Sequence, residues 1–235
     1  MKGKLFLVPT VIAENSLNTI PEQVKEVIKN TEYFLVENVR TARRYISSLK
    51  LGLTIEELKF EILDKKTDSQ RLGKLLEPLS KGMNVGIISE SGCPGVADPG
   101  ALAVEWAQRN KIQVVPLVGP SSILMALMGS GFNGQKFCFH GYLPIDKKEL
   151  EKEIKALEAE SGKKNQTQIF IETPYRNNQL LATLSKACHP STKICVAKDI
   201  TGKEEFVVTD TAANWQNRNI DLHKIPTVFL LYAGK

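Results

Sequence analysis

Five short segments of this 235-residue sequence combine residue types and spacings that could do chemistry. The densest reads Ser89-Glu90-Ser91-Gly92-Cys93-Pro94-Gly95-Val96-Ala97-Asp98-Pro99-Gly100. Three glycines and two prolines in twelve residues describe a stiff, sharply bent loop. It follows an apolar run and precedes a helical pattern that Asp98 can cap. Ligands of open α/β sheets bind beyond the carboxyl ends of strands, so the position suits a ligand as well as a structural turn. A second strand, bend and helix start is Leu117-Val118-Gly119-Pro120-Ser121-Ser122. The Ser121 and Ser122 hydroxyls can cap the helix or bond a ligand's polar atoms. In Ile169-Phe170-Ile171-Glu172-Thr173-Pro174-Tyr175-Arg176, Arg176 could meet an anion or pair with Glu172. In Glu37-Asn38-Val39-Arg40-Thr41-Ala42-Arg43-Arg44, three arginines end a strand. Guanidinium forks suit phosphate, and a solvated helix face is the plain alternative. The loop over residues 8–17 is notable for lacking glycine altogether. No G-x-x-x-x-G-K-[ST] occurs either. That counts against a Rossmann dehydrogenase, a P-loop NTPase and a methyltransferase with a glycine-rich first loop.

Thirty-one Lys and Arg against 26 Asp and Glu give a net charge of +5. This permits a polyanionic partner without requiring one. Cys93, Cys138, Cys188 and Cys195 show no C-x-x-C spacing and read as small free thiols. His140, His189 and His223 fall at no metal-ligand spacing, so no metal site is expected. No apolar run approaches the roughly 18–20 residues that span a bilayer, and no secretory leader pattern is visible. A soluble, cytoplasmic protein without a membrane partner is expected.

The elements that must position these segments alternate between strand and helix. Strands are predicted over 5–8, 33–37, 85–89 and 114–118, with helices over 21–29, 41–49, 69–77, 98–109 and 121–128. Pro78 is expected to end the third helix. The 85–89 run is too apolar for one wet face, which points to a buried parallel sheet. Beyond 129–134 the character changes. Strands at 137–141 and 167–172 flank a charged helix at 147–160 and a polar loop at 161–166. A helix over 175–187 precedes strands at 193–198, 205–209 and 225–232, with a short helix at 212–215. The fold class is α/β in two domains, 1–118 with a mostly parallel sheet and 119–235 with a mixed sheet, each with helices.

Taken together, the bends resemble the tetrapyrrole methylase superfamily, and within it the small-subunit rRNA cytidine-2′-O-methyltransferase (RsmI-like) group. That group usually reads S-D-A-G-T-P-G-I-S-D-P-G and then V-P-L-P-G-P-S-A, against residues 89–100 and 115–122 here. Phe139-His140-Gly141-Tyr142-Leu143-Pro144 resembles F-x-G-F-L-P, Glu172–Arg176 resembles E-S-P-H-R, and Glu37–Arg40 resembles E-D-T-R. Departures are the first loop, which lacks the usual Gly-Asn, and Cys93 for Thr, Asn38 for Asp and Tyr175 for His. The likeness runs from about Lys4 to Tyr232.

The resemblance implies a tetrapyrrole-methylase-like fold that binds S-adenosylmethionine (SAM) in a cleft between its two domains. It implies donor contacts at Ile12, Cys93, Val96, Ser121, Ser122, Ile171, Ala197 and Thr227, many through backbone groups. It also implies a homodimer and an rRNA acceptor. In-line methyl transfer relies on positioning. A weak ribose nucleophile gains from a base, for which Glu37 and Glu90 are the candidates. Arg40, Arg43, Arg44 and Arg176 are the candidate substrate contacts. Two other readings stay open at this point: methylation of a small molecule such as a tetrapyrrole, and a catalytically weak paralogue that binds SAM or RNA.

Overall fold

The short apolar runs of the first half become one parallel sheet. Its strands are β1 (Leu5–Val8), β2 (Tyr33–Val36), β3 (Lys59–Ile62), β4 (Val85–Ile88) and β5 (Val114–Pro116). They lie in the order β3-β2-β4-β1-β5, every neighbour parallel. The structure is a computed structural model that describes residues 2–234. It divides into two units, Met1–Ser121 and Ser122–Lys235.

In the first unit the helices are α1 (Glu22–Lys29), α2 (Val39–Ser48), α3 (Ser69–Ser80) and α4 (Gly100–Arg109). From β1 to β3 the chain steps one way along the sheet, and from β3 to β5 it steps back. Right-handed crossovers then place α1 and α2 on one face and α3 and α4 on the other. The packing agrees. Val8, Phe34, Val36 and Ile88 meet Val24, Ile28, Ala42, Tyr45 and Ile46. Leu5, Leu35, Val85 and Ile87 meet Leu72, Leu76, Ala103 and Ala107. Alternate strand residues thus feed two cores, which is why these strands read as unbroken apolar runs.

Two sequence expectations need correction here. β3 escapes the pattern because Lys59 and Glu61 alternate with Phe60 and Ile62 on a short edge strand. α3 runs through Pro78 to Ser80. Pro78 forfeits one N–H in the last turn, but its carbonyl accepts the Lys81 and Met83 N–H groups at 3.1 and 3.0 Å, so the end is still closed.

The second unit contains α5 (Ser122–Ser130), β6 (Phe137–Tyr142), α6 (Lys147–Lys164), β7 (Thr167–Ile171) and α7 (Asn177–Ala187). It continues with β8 (Lys193–Lys198), β9 (Phe206–Thr211), α8 (Ala212–Asn217) and β10 (Thr227–Tyr232). The sheet order is β6-β7-β10-β8-β9. β6 and β7 pair in parallel and the remaining neighbours antiparallel, so the sheet is mixed. Phe170, Phe229, Val196 and Val208 pack with α6, α7 and α8 into one core. α5 covers the opposite face, where a Cβ on Gly129 would come within 2.8 Å of Val207. The supposed polar loop at 161–166 is mostly helix, since α6 reaches Lys164. Ser161 is fully buried there, yet its hydroxyl donates to the Gln166 carbonyl at 2.7 Å and accepts the Ala233 N–H at 2.9 Å. Both polar needs of the hydroxyl are met, so the helix need not break.

Candidate functional site

β1 and β4 lie side by side, and the chain leaves their carboxyl ends toward opposite faces of the sheet. Such a switch point is where ligands of open α/β sheets bind. Here three loops are tied into one body. The Gly92 carbonyl accepts the Ser89 hydroxyl at 2.8 Å and the Thr10 N–H at 2.9 Å. Gly92 has φ +66°, and a Cβ there would stand 3.0 Å from the Pro120 oxygen and 3.9 Å from Ile12. A Cβ on Gly119 would stand 2.2 and 2.3 Å from Pro9 ring carbons. The Cys93 thiol lies 3.4 and 3.6 Å from the Pro120 and Gly119 carbonyls. The Tyr45 hydroxyl donates to the Pro9 carbonyl at 2.9 Å. The bends at Gly92 and Gly119 are legible in sequence; the parts played by Pro9, Thr10 and Tyr45 are not. A buried hydroxyl on the apolar stripe of α2 is the one signal that Tyr45 has a specific partner.

Asp98 is not the N-cap of α4, because Pro99 holds that position. It sits one residue earlier, and its Oδ1 accepts the Gly95 and Gly100 N–H groups at 2.6 and 2.9 Å. The carboxylate therefore closes the loop and serves the first helical amide at once. Val96, at the outer turn of the same loop, is exposed.

Three carboxylates gather at this edge. Glu37 directly follows β2, Glu90 lies two residues past β4, and Asp98 lines a small crevice with Glu37, Val36, Ile88 and Pro99. Burial pushes the Glu37 carboxyl above its ordinary range, and the negative charges of Asp98 and Glu90 push it further, against Lys65. Burial likewise raises Asp98, against its two backbone hydrogen bonds. Folding thus tightens the Glu37 proton. Its contribution to stability is full below the unfolded carboxylate range and is lost as pH rises through the higher folded value. Glu37→Gln is therefore expected to be more stabilising, relative to wild type, at neutral than at acid pH. Urea melts of both proteins at the two pH values check this; equal differences would contradict it.

Next to Glu37, Asn38 caps α2. Its Oδ1 accepts the Arg40 and Thr41 N–H groups at 2.9 and 3.3 Å, so Asn in place of Asp keeps the cap. Ala42, Tyr45 and Ile46 face inward. Arg40, Arg43 and Arg44 are thereby exposed together along the outer side, with the Arg43 guanidinium 5.5 Å over the Phe60 ring. Among the described residues, no ion pair involves any of the three.

In the second unit, register decides which candidates share a face. Ile171 pairs with Val228, and Val228 with Ala197, so these three form one row on the α5 face. Thr227 is one residue out of step and pairs with Lys198. Its side chain points to the opposite face, where its hydroxyl donates to the Ile225 carbonyl at 2.9 Å. Only backbone atoms of Thr227 can thus serve the same ligand as the side chains of Ile171 and Ala197. Ser122 is the first residue of α5 and Ser121 immediately precedes it, both half-buried. Arg176 makes the ion pair, 3.4 Å from Glu172, whose carboxylate is buried. The other Glu172 oxygen accepts the Thr173 N–H at 2.7 Å. Arg176→Ala would leave that carboxylate without its cation and is expected to cost about 1–3 kcal/mol, read from denaturant melts. An unchanged midpoint would contradict the pairing. Burial raises the Cys188 and Cys195 thiols to about 12 and about 11, so both are protonated at neutral pH.

A parallel sheet with rigid corners at its carboxyl edge, followed by a mixed sheet with its own helical layer, is an architecture that fits a SAM-dependent methyltransferase. The residues present suit that cofactor. The corners offer uncharged backbone and small apolar groups against which its adenosine and methionine portions can lie. The chain belongs to the tetrapyrrole (corrin/porphyrin) methylases, whose family model matches residues 11–215. It is similar to ribosomal RNA small subunit methyltransferase I of Buchnera aphidicola subsp. Schizaphis graminum (strain Sg), at 27% identity over 99% of this chain and 79% of that protein. The same-named protein of Bacillus subtilis (strain 168) is 29% identical over 92% of this chain and 71% of its own length. The solved structure of a diphthine synthase superposes with TM-score 0.67 at 15% identity, covering 97% of this chain and 89% of that one, a likeness of fold.

Proposed function

We propose that this protein transfers the methyl group of SAM to a cytidine ribose 2′-hydroxyl of small-subunit rRNA. One observation carries the reading: α2 presents Arg40, Arg43 and Arg44 to solvent within a few residues of Glu37, a half-buried carboxylate. Guanidiniums that bind phosphates would hold an RNA strand beside a carboxylate whose proton affinity burial and the neighbouring Asp98 and Glu90 charges raise. Similarity to proteins named for rRNA methylation supports it across nearly the whole chain.

SAM supplies an electrophilic methyl on a sulfonium. By the family resemblance, Ile12, Cys93, Val96, Ser121, Ser122, Ile171, Ala197 and the Thr227 backbone are the proposed donor contacts. Glu37 accepts the 2′-hydroxyl proton, and Glu90, exposed beside it, is the second candidate base. Arg176 contributes on the acceptor side through its exposed portion. No helix among the described residues is long and apolar enough to cross a membrane. We place the protein in the cytoplasm as a homodimer on the strength of the family resemblance.

The test is incubation with methyl-labelled SAM and either small ribosomal subunits or small metabolites from cells lacking the gene. Label is expected in the rRNA, at a ribose resistant to alkaline cleavage. Label in the metabolite pool alone, or in neither, would overturn the reading. Glu37→Gln is expected to slow transfer by about 10²–10⁴-fold while leaving SAM binding intact.

A further inference from the structure

We infer that Tyr175, with Lys224 and His223 beside it, is a stacking platform for one unstacked base of the RNA acceptor; the inference rests on the rRNA reading above. Tyr175 lies in the turn after β7 and is 69% exposed. An exposed tyrosine is ordinarily free to move, but this one is framed. The His223 ring meets it edge-on, with centroids 5.8 Å apart and planes at 75°. The Lys224 ammonium sits 5.7 Å over the Tyr175 ring.

The Tyr175 turn and the His223–Lys224 segment are fastened to each other by one backbone hydrogen bond and one from the Asn177 side chain. The Lys224 N–H donates to the Pro174 carbonyl at 3.0 Å, and the Asn177 amide donates to the Ile225 carbonyl at 2.6 Å. The His223 N–H donates to Asp221 at 2.9 Å. Lys224 adopts the left-handed backbone conformation, φ +62°. At the same end of the sheet, Arg176 reaches the Ile145 carbonyl at 3.4 Å, and Ile145 and Tyr142 are exposed. The edge therefore offers a fixed aromatic ring, exposed apolar surface and two cations, with Glu172 engaged by Arg176.

Single-stranded RNA presents the complement: a flat base beside a phosphate. Aromatic rings take the base without regard to its identity, and an adjacent ammonium takes the charge. The paired Glu172 leaves Lys224 as the cation directed at the ring.

The experiment measures binding of short single-stranded oligocytidylates to the full chain, together with methyl transfer to small ribosomal subunits and SAM affinity by calorimetry. Tyr175→Ala is expected to weaken oligocytidylate binding by about ten- to a hundredfold, whereas Tyr175→Phe stays within about twofold. Lys224→Asn tolerates the backbone conformation and should lower the salt slope by about 0.7, the value for one phosphate on a single strand. Tyr175→Ala should leave that slope unchanged. SAM affinity should be unaltered in all three variants. Wild-type affinity in Tyr175→Ala, or an equal loss in Tyr175→Phe, would overturn the platform. A wild-type protein that methylates no rRNA would instead defeat the rRNA reading, while the oligocytidylate series still reports on Tyr175 itself.

Discussion

Gly119→Ala is expected to disable SAM binding while leaving the second unit folded. The added methyl would sit 2.2 Å from the Pro9 Cβ and 2.3 Å from its Cγ. Neither partner can swing aside. Pro9 is a closed ring directly after β1, and its carbonyl is pinned by the Tyr45 hydroxyl. The loops after β1 and β5 must therefore part. Because the Cys93 thiol and the Gly92 turn lean on residues 119 and 120, the loop after β4 moves with them. Overpacking of this kind costs about 1–3 kcal/mol. If that energy is recovered by opening the corners, SAM affinity falls by about tenfold or more. Calorimetry with SAM and thermal melts measure the two effects. Gly134→Ala is the silent control, since nothing lies within 4 Å of a Cβ there. Equal SAM affinity in Gly119→Ala and wild type would show that the corners are not part of the donor site.

The second large effect concerns the acceptor. Replacing Arg40, Arg43 and Arg44 together by Gln should leave α2 intact, because its cap and its buried face use other residues. Each guanidinium that neutralises a phosphate releases about one counterion. The triple variant is thus expected to lower the slope of log affinity against log salt by about 2–3 units. SAM affinity should not change. Filter binding of rRNA over a salt series measures the slope. A slope equal to wild type would identify the three arginines as an ordinary solvated helix face. Loss of transfer with an unchanged slope would direct attention to Glu37.

How much of this was legible beforehand differs by level. The two sheets were visible because apolar runs such as Val85–Ile88 are buried on both faces, and such runs are hard to mistake. The edge strand β3 was not visible, because Lys59 and Glu61 are what an edge strand needs and also what a loop looks like. The helices run past Pro78 and Ser161, beyond the ends that the sequence pattern predicts, for one reason. Local propensity stops a helix at such residues, whereas the Pro78 carbonyl and the Ser161 hydroxyl find partners just past the helix end, and Ser161 a further one in the distant Ala233 N–H. At the candidate site the bends were readable from glycine and proline spacing. Their mutual fastening was not, since Pro9, Gly92 and Pro120 are far apart in sequence and meet through backbone atoms. The register of β8 against β10, which turns Thr227 away from Ala197, lies equally beyond any single-sequence pattern. The gathering of Glu37, Glu90 and Asp98 follows from strand order, with β2 beside β4, and strand order is a property of the fold.

The most direct measurement is a calorimetric titration of the wild-type chain with S-adenosylhomocysteine, the demethylated product of SAM, repeated on Gly119→Ala. Saturable binding of one ligand per chain that is lost or strongly weakened in the variant is the predicted result. A wild-type protein that takes up no heat-detectable ligand, or a variant that binds it as tightly, would contradict the assignment of these fastened loops to the methyl donor.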